Sequence, residues 1–233
     1  MIRLIKATIS RSALAALLLL ALTANASAAG NRNALWHIVG HCLDSTAADY
    51  CDTCPAPLEG STCAQGASCL GTTQIWNRTQ DYVAIRDRKA CGCPDNFVHG
   101  LAMPLKPVIG LAEGSRPDGI WEFAWQTAEH RIRDILWIAL IVNPPAWQSQ
   151  DQLHVHILRL RSNARDRLSA KAARIPDLAS VWSSAKELAK AASLDDRYGV
   201  LVLRDTDGGY LLVVDTAPLE SAYGEGRCNQ VPQ

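Results

Sequence analysis

Between Asp151 and Leu158 polar and apolar residues alternate: Leu153, Val155 and Ile157 share one parity, and Gln152, His154 and His156 the other. A β-strand sends successive side chains to opposite faces, so the pattern predicts a strand with its apolar face on a core and an amide and two imidazoles on the other face. Same-face neighbours then stand about 6.5 to 7 Å apart, and burial of the apolar set holds the register. Upstream, Ile135 to Val142 is continuously apolar and predicts a strand buried on both faces. It stops at Asn143-Pro144-Pro145, and a short loop, Ala146 to Gln150, leads into the alternating strand.

The pattern elsewhere predicts the frame around these strands. An entry helix spans about Leu35 to Cys42, and weak alternation from Tyr82 to Asp87 and from Val98 to Met103 predicts two strands, the second stopped by Pro104 and Pro107. A loop with Gly114 and Pro117 precedes a helix, with Asp118 as N-cap, on which Trp121, Trp125, Ala128, Ile132 and Ile135 recur at helical spacing. That stripe is expected to pack on the sheet and not to serve as a base-stacking platform. Helices are predicted from about Asn163 to Ala173 and Leu178 to Ala191, the second with Leu178, Val181, Trp182, Ala185 and Leu188 on one face. A hairpin, Tyr198 to Arg204 and Tyr210 to Val214, turns at Asp207-Gly208-Gly209. The expected class is α+β: a mainly antiparallel sheet with a packed helix, a disulfide-rich N-terminal region and a C-terminal helix and hairpin extension.

The start of the chain reads as an address. Arg3, Lys6 and Arg11 precede an apolar stretch from Ala13 to Ala24, and Ala26-Ser27-Ala28 has the small-x-small form of a signal-peptidase site. The stretch is shorter than the roughly 20 apolar residues of a spanning helix, so cleavage near Ala28 is expected over retention as an anchor. The expected organisation is a signal peptide at 1–28, a Cys-rich entry region at 29–80, a catalytic core at 81–161, and helices and a hairpin at 162–233 within the same unit.

Charge is balanced, 23 basic against 23 acidic residues, which argues against a general polyanion binder; nucleic acid is not an expected partner. Eight cysteines (Cys42, Cys51, Cys54, Cys63, Cys69, Cys91, Cys93 and Cys228) follow the address segment. In an exported chain they read as disulfides, with connectivity open. Cys51-x-x-Cys54 could indicate zinc or redox chemistry, but it has no second CxxC, so structural bridging is the better reading. The stretch from Leu43 to Thr73 is expected to be an irregular flap stapled over the entry helix.

Two imidazoles on one strand face have three ordinary explanations. As metal ligands they are one or two short of a zinc site, and His37, His41, His99 and His130 show no companion spacing, so no metal or other cofactor is expected. As bland residues they could decorate a wet strand face. As chemistry, one could be a nucleophile and the other a contact to the anion it attacks. Arg159, Arg161, Arg165 and Arg167 cluster beside the strand; a solvated face is the ordinary reading, contact with phosphate or lipid headgroups the sharper one.

Asn143 at a strand exit, Gln148-Ser149, and the His154-x-His156 strand resemble the signature of the histidine-triad superfamily, with Gln152 where that family has its first histidine. Within it the chain is most similar to the bacterial CDP-diacylglycerol pyrophosphatases, on the Tyr82 strand, the Met103-Pro104 strand end, the Trp125 helix, the Arg197-Tyr198-Gly199 strand and the terminal Cys228. The resemblance implies a HIT-like fold and hydrolysis of membrane-held CDP-diacylglycerol to CMP and phosphatidate. It implies His154 as nucleophile through a cytidylyl-histidine intermediate, and His156 and Ser149 as phosphate contacts. Asn143 and Gln152 become orienting residues. Trp147, beside the site, is expected either to touch acyl chains or to pack under its own loop. The location implied is the periplasm or the outer face of the inner membrane. Transfer of the nucleotide to a phosphorylated acceptor, or a decayed site that only binds, are the alternatives.

Overall fold

The strands anticipated on either side of the histidine loop lie side by side in the middle of one sheet. The computed structural model describes residues 31–54, 74–90, 92–94, 96–110 and 116–228. The address segment, Cys63, Cys69, Cys91, Gly114 and the flap from 55 to 73 lie outside them.

Eight strands form one antiparallel sheet: β1 (Ile75–Arg78), β2 (Tyr82–Arg86), β3 (His99–Pro104), β4 (Ile138–Val142), β5 (Val155–Arg159), β6 (Ala173–Ile175), β7 (Gly199–Arg204) and β8 (Tyr210–Asp215). Their spatial order is β1-β2-β3-β5-β4-β7-β8-β6. Six helices accompany them among the described residues: α1 (Ala34–His41), α2 (Tyr50–Thr53), α3 (Gly119–Glu129), α4 (Ala164–Ser169), α5 (Val181–Ala191) and α6 (Leu219–Tyr223). The class is α+β, as expected, and among the described residues no helix is long and apolar enough to cross a membrane.

The two faces are covered differently. Ala102, Leu140, Val142, Val155, Ile157, Val200 and Val202 form one core with α3 and α5, where the rings of Trp121 and Trp182 meet edge-on with centroids 4.8 Å apart. The tryptophan stripe therefore packs, as expected. On the opposite face, Val83, Ile85, Leu101 and Met103 are roofed by Leu35 and Ile38 of α1 and Tyr50 of α2. Ile141, Leu158, Leu201 and Val213 are roofed by Ala164 and Leu168 of α4 and by Leu219 and Tyr223 of α6. His156 pairs with Leu101 on one side and Ile141 on the other, so the histidine face falls at the seam between these two roofs.

Several expected boundaries shift for local reasons. The α3 helix ends at Glu129, and Ile135, expected on its stripe, is 38% exposed in a 3-10 turn, Ile135–Trp137. Asp134 starts that turn by accepting a hydrogen bond from Leu136 N, which delays the apolar strand to Ile138. Asp118 makes no side-chain cap, being itself in helical conformation. The helix expected to reach Ala173 stops at Ser169, and Ala173–Ile175 instead pairs with β8 as an edge strand. The closing turn uses Gly208 and Gly209 at positive φ, which a Cβ would disfavour. Gly199 starts β7 against the β4 exit, where a Cβ would come within 2.5 Å of Val142 O and Pro144 Cδ.

Candidate active site

The loop between β4 and β5 carries the site residues to the seam, and it is tied at several points. Gln148 Nε2 donates to Asn143 O (2.7 Å), Leu35 N to Gln150 Oε1 (3.1 Å), and Trp147 Nε1 to Thr216 O (3.2 Å). The segment after β3 holds its end, with Gly110 N donating to Asp151 O and Leu153 N to Val108 O.

Gln152 shows why an amide suits its position. Its Nε2 donates to Pro104 O (3.0 Å) and Lys106 O (3.2 Å), and its Oε1 accepts from Val108 N (3.2 Å), the Pro104 and Val108 bonds buried and the Lys106 bond partly so. The side chain thus fastens the loop after β3 to the site strand. Gln152→Ala leaves buried backbone groups unpaired, each worth about 1 to 3 kcal/mol. We expect about 2 kcal/mol less stability by urea titration; an unchanged midpoint would show these bonds to be replaceable by water.

The backbone carbonyl of Gln152 receives His154 Nδ1 at 2.7 Å. A carbonyl can only accept, so Nδ1 carries the proton and the neutral ring keeps its lone pair on Nε2. His154 and His156 are both buried, with ring centroids 4.9 Å apart. His156 Nε2 lies 3.5 Å from Asn143 Nδ2 and 3.4 Å from Glu220 Oε2, while its Nδ1 lies 3.4 Å from His99 Nε2.

Four groups that sequence reasoning left aside complete this cluster: Asp87, Lys89, His99 and Glu220. Asp87 Oδ2 is 3.1 Å from His99 Nε2, and Lys89 Nζ is 2.8 Å from Glu220 Oε1. Asn143 is clasped by Glu220 from both sides: its Nδ2 donates to Oε2 (3.0 Å) and its Oδ1 accepts from Glu220 N (3.1 Å). A signal for His99 existed, since it shares strand parity with Leu101, the partner of His156. Glu220, on a five-residue helix far along the chain, had none.

Ser149 is exposed and stands outside the hydrogen bonds around the two imidazoles. Trp147, 56% exposed, lines a cleft of about 900 Å³ floored by Asn143 and Glu220 and edged by Lys89, Arg159, Arg161 and Arg227. The basic cluster is thereby divided. Arg159, paired with Glu225, and Arg161, which donates to Gly224 O, face the cleft, whereas Arg165 bonds the carbonyls of Arg204 and Leu136 and Arg167 those of Asn163 and Ala222. Four cations against two carboxylates, Glu220 and Glu225, make the lining favourable to an anion.

Between described cysteines, Cys42–Cys54 and Cys93–Cys228 are bridged, and Cys51 is disulfide-bonded as well. The first takes Cys54 out of any CxxC redox pair with Cys51. The second ties the tail beside the cleft to the segment following Lys89. Disulfides are consistent with an exported protein.

Burial is the largest influence on His154 and holds it below the ordinary imidazole value, against the raising effects of the Gln152 carbonyl, Asp87 and Glu220. Burial likewise takes His156 down to about 3, opposed by Glu220. For Glu220 burial works upward, but His156 and Lys89 prevail and hold it down at about 2. Burial also works upward on Asp87, and the His99 hydrogen bond reverses it to a value below the usual range.

Each of these groups binds a proton more readily in the unfolded chain, so acid destabilises the fold. The imidazole contribution is complete above about pH 6.5 and declines as pH falls toward the folded values; the carboxylate contribution follows below about pH 4. Unfolding free energy should therefore fall from about pH 6 downward, and a flat profile to pH 5 would contradict the burial of neutral imidazoles.

The family model described as CDP-diacylglycerol pyrophosphatase matches residues 30–194, which takes in β1 to β6, Asp87, Lys89, His99, Asn143 and both site histidines and stops short of Glu220. The chain belongs to the CDP-diacylglycerol pyrophosphatase family and is a hydrolase acting on the pyrophosphate bond of CDP-diacylglycerol.

Proposed function

We propose that this hydrolase works as a histidine-triad enzyme in which His154 attacks the cytidine-linked phosphorus of CDP-diacylglycerol. The observation that carries the reading is the bond from His154 Nδ1 to the Gln152 carbonyl, which leaves Nε2 as the nucleophilic atom. A neutral imidazole avoids the repulsion an anionic nucleophile would meet at a pyrophosphate diester. In the first step the Nε2–P bond forms and the bond from that phosphorus to the bridging oxygen breaks, releasing phosphatidate. Water then attacks the cytidylyl-histidine, the N–P bond breaks, CMP leaves and the imidazole is restored neutral, the water protons passing to product phosphate and solvent.

In this reading His156 and Asn143 hold the non-bridging oxygens, and the cleft cations receive the departing phosphate and neighbouring headgroups. Ser149 joins only through a shift of its exposed loop. The exchange of the first triad histidine for Gln152 is tolerated because the orienting contact is a backbone carbonyl, which every residue supplies. This supports an active site over a decayed, binding-only one. Export, with action at the membrane surface where the lipid resides, fits the disulfides and the exposed Trp147 beside the cleft.

The test uses CDP-diacylglycerol radiolabelled at the cytidine-linked phosphate, mixed with enzyme and quenched early. Acid-labile label on the protein, chased into CMP, supports the covalent route. Oxygen-18 water supplies the complement. Incorporation into CMP is expected, and incorporation into phosphatidate would place attack on the other phosphorus and overturn the assignment.

A further inference from the structure

We propose that Asp87, His99 and His156 form a binding site for one divalent transition-metal ion of the zinc class, and that its occupation inhibits the enzyme. The three residues come from three places: Asp87 just after β2, His99 at the start of β3 and His156 inside β5. All three are buried, and one ligand atom from each lies within 4.8 Å of the others.

The spacing is that of a coordination shell. An ion with bonds of about 2.0 to 2.1 Å in tetrahedral geometry sets its ligand atoms about 3.4 Å apart. Asp87 Oδ2 to His99 Nε2 is 3.1 Å, and His99 Nε2 to His156 Nδ1 is 3.4 Å. Glu220 Oε1, 3.6 Å from His99 Nε2, is placed to supply a fourth ligand in exchange for Lys89, or to leave that position to water. Two imidazoles with a carboxylate select zinc-class ions; magnesium and calcium need a larger set of oxygens.

The charge balance favours a cation as well. Two carboxylates, buried Asp87 and partly buried Glu220, are met among the described residues by a single ammonium, Lys89, whose side chain is half exposed. The outer shell limits the affinity. When His99 ligates through Nε2 its proton moves to Nδ1, which is buried without a hydrogen-bond partner among the described residues. An outer-shell acceptor tightens a metal site about 10- to 100-fold, so this one is expected to be weaker than a structural zinc site by that factor and readily reversed by chelators.

Inhibition follows from the use of His156, and this part rests on the function proposed above. A dication on Nδ1 draws the ring toward Asp87 and His99 and takes it from the phosphate oxygens it holds. Binding itself requires no role in catalysis, so the two parts are tested separately.

The probe is Co²⁺, added to chelator-treated, disulfide-intact protein. One equivalent should raise the visible absorption of tetrahedral cobalt, and Zn²⁺ should abolish it by displacement. Asp87→Asn should weaken binding at least tenfold, while His41→Asn should leave it unchanged. His41 is the necessary control, because its ring lies tilted 5.1 Å from that of His37 one turn away on α1, a pair of imidazoles outside the proposed site. Should Asp87→Asn fold poorly, the wild-type protein still decides: Zn²⁺ must shift the imidazole nitrogen resonances of His99 and His156. Absence of cobalt absorption, or loss of it in His41→Asn, would overturn the site. Cobalt binding with undiminished hydrolysis of CDP-diacylglycerol would overturn the inhibition alone.

Discussion

Replacing His154 by Ala is expected to lower kcat for CDP-diacylglycerol hydrolysis by at least about 10⁴-fold, the scale seen when a covalent nucleophile is removed. The ring is buried and bonded to the backbone carbonyl two residues before it, so its loss leaves a small cavity and no unpaired carboxylate. Stability should fall by about 1 to 3 kcal/mol, since the buried Gln152 carbonyl loses its donor, while substrate binding, proposed to rest on the cleft cations, should persist. The measurement pairs steady-state rates with equilibrium binding of the lipid nucleotide. Residual activity within tenfold of wild type would transfer the nucleophilic role to another group, His156 being the nearest imidazole. His154→Asn, with an amide in place of the ring, should be equally inactive, which separates loss of the nucleophile from loss of packing.

Removing the Glu220 carboxylate should be the second largest effect, about 10²-fold in kcat with a smaller change in KM. Glu220 meets Asn143 twice, stands 3.4 Å from His156 and is paired to Lys89 at 2.8 Å. Without it Asn143 is held by one bond, His156 Nε2 loses its acceptor, and Lys89 swings free. Glu220→Gln keeps the shape and one acceptor oxygen and should recover part of the loss; Glu220→Ala should not. A positioning role also predicts a change in pH profile, because the anion raises the His156 proton affinity against burial. With the anion gone His156 resists protonation further, so any acid limb arising from it moves to lower pH. Equal losses in Gln and Ala variants with an unmoved pH profile would reduce Glu220 to a structural tie. Since Glu220 lies beyond the residues matched by the family model, the result also tells whether the C-terminal extension takes part in the reaction.

How far the chain could be read in advance depended on the range of each interaction. The alternation correctly assigned Val155 and Ile157 to the helix-covered core and His156 to the other face, because strand parity is local, but the strand begins only at Val155, so Gln152 and His154, expected within it, precede it. The α3 stripe, the α5 face and the closing hairpin were legible for the same reason. The misreadings lie where local preference is weak. Ile135 has the right spacing for the stripe, but Asp134 captures Leu136 N and ends the helix signal early. Residues 173–175 are as suited to a helix as to a strand until β8 offers an edge.

The site divides along the same line. His154, His156, Asn143 and Gln152 stand within fourteen residues on two adjoining strands and their loop, and sequence alone marked them. Gln152 could be located but not understood, since its three partners belong to the end of β3 and the segment after it. Asp87, Lys89, His99 and Glu220 became neighbours of these groups only through long-range antiparallel register and a disulfide closing 135 residues of chain. Side-chain periodicity specifies which face a residue occupies. Which other faces meet it is decided by strand order and by the helices that roof the seam, and those are properties of the whole fold.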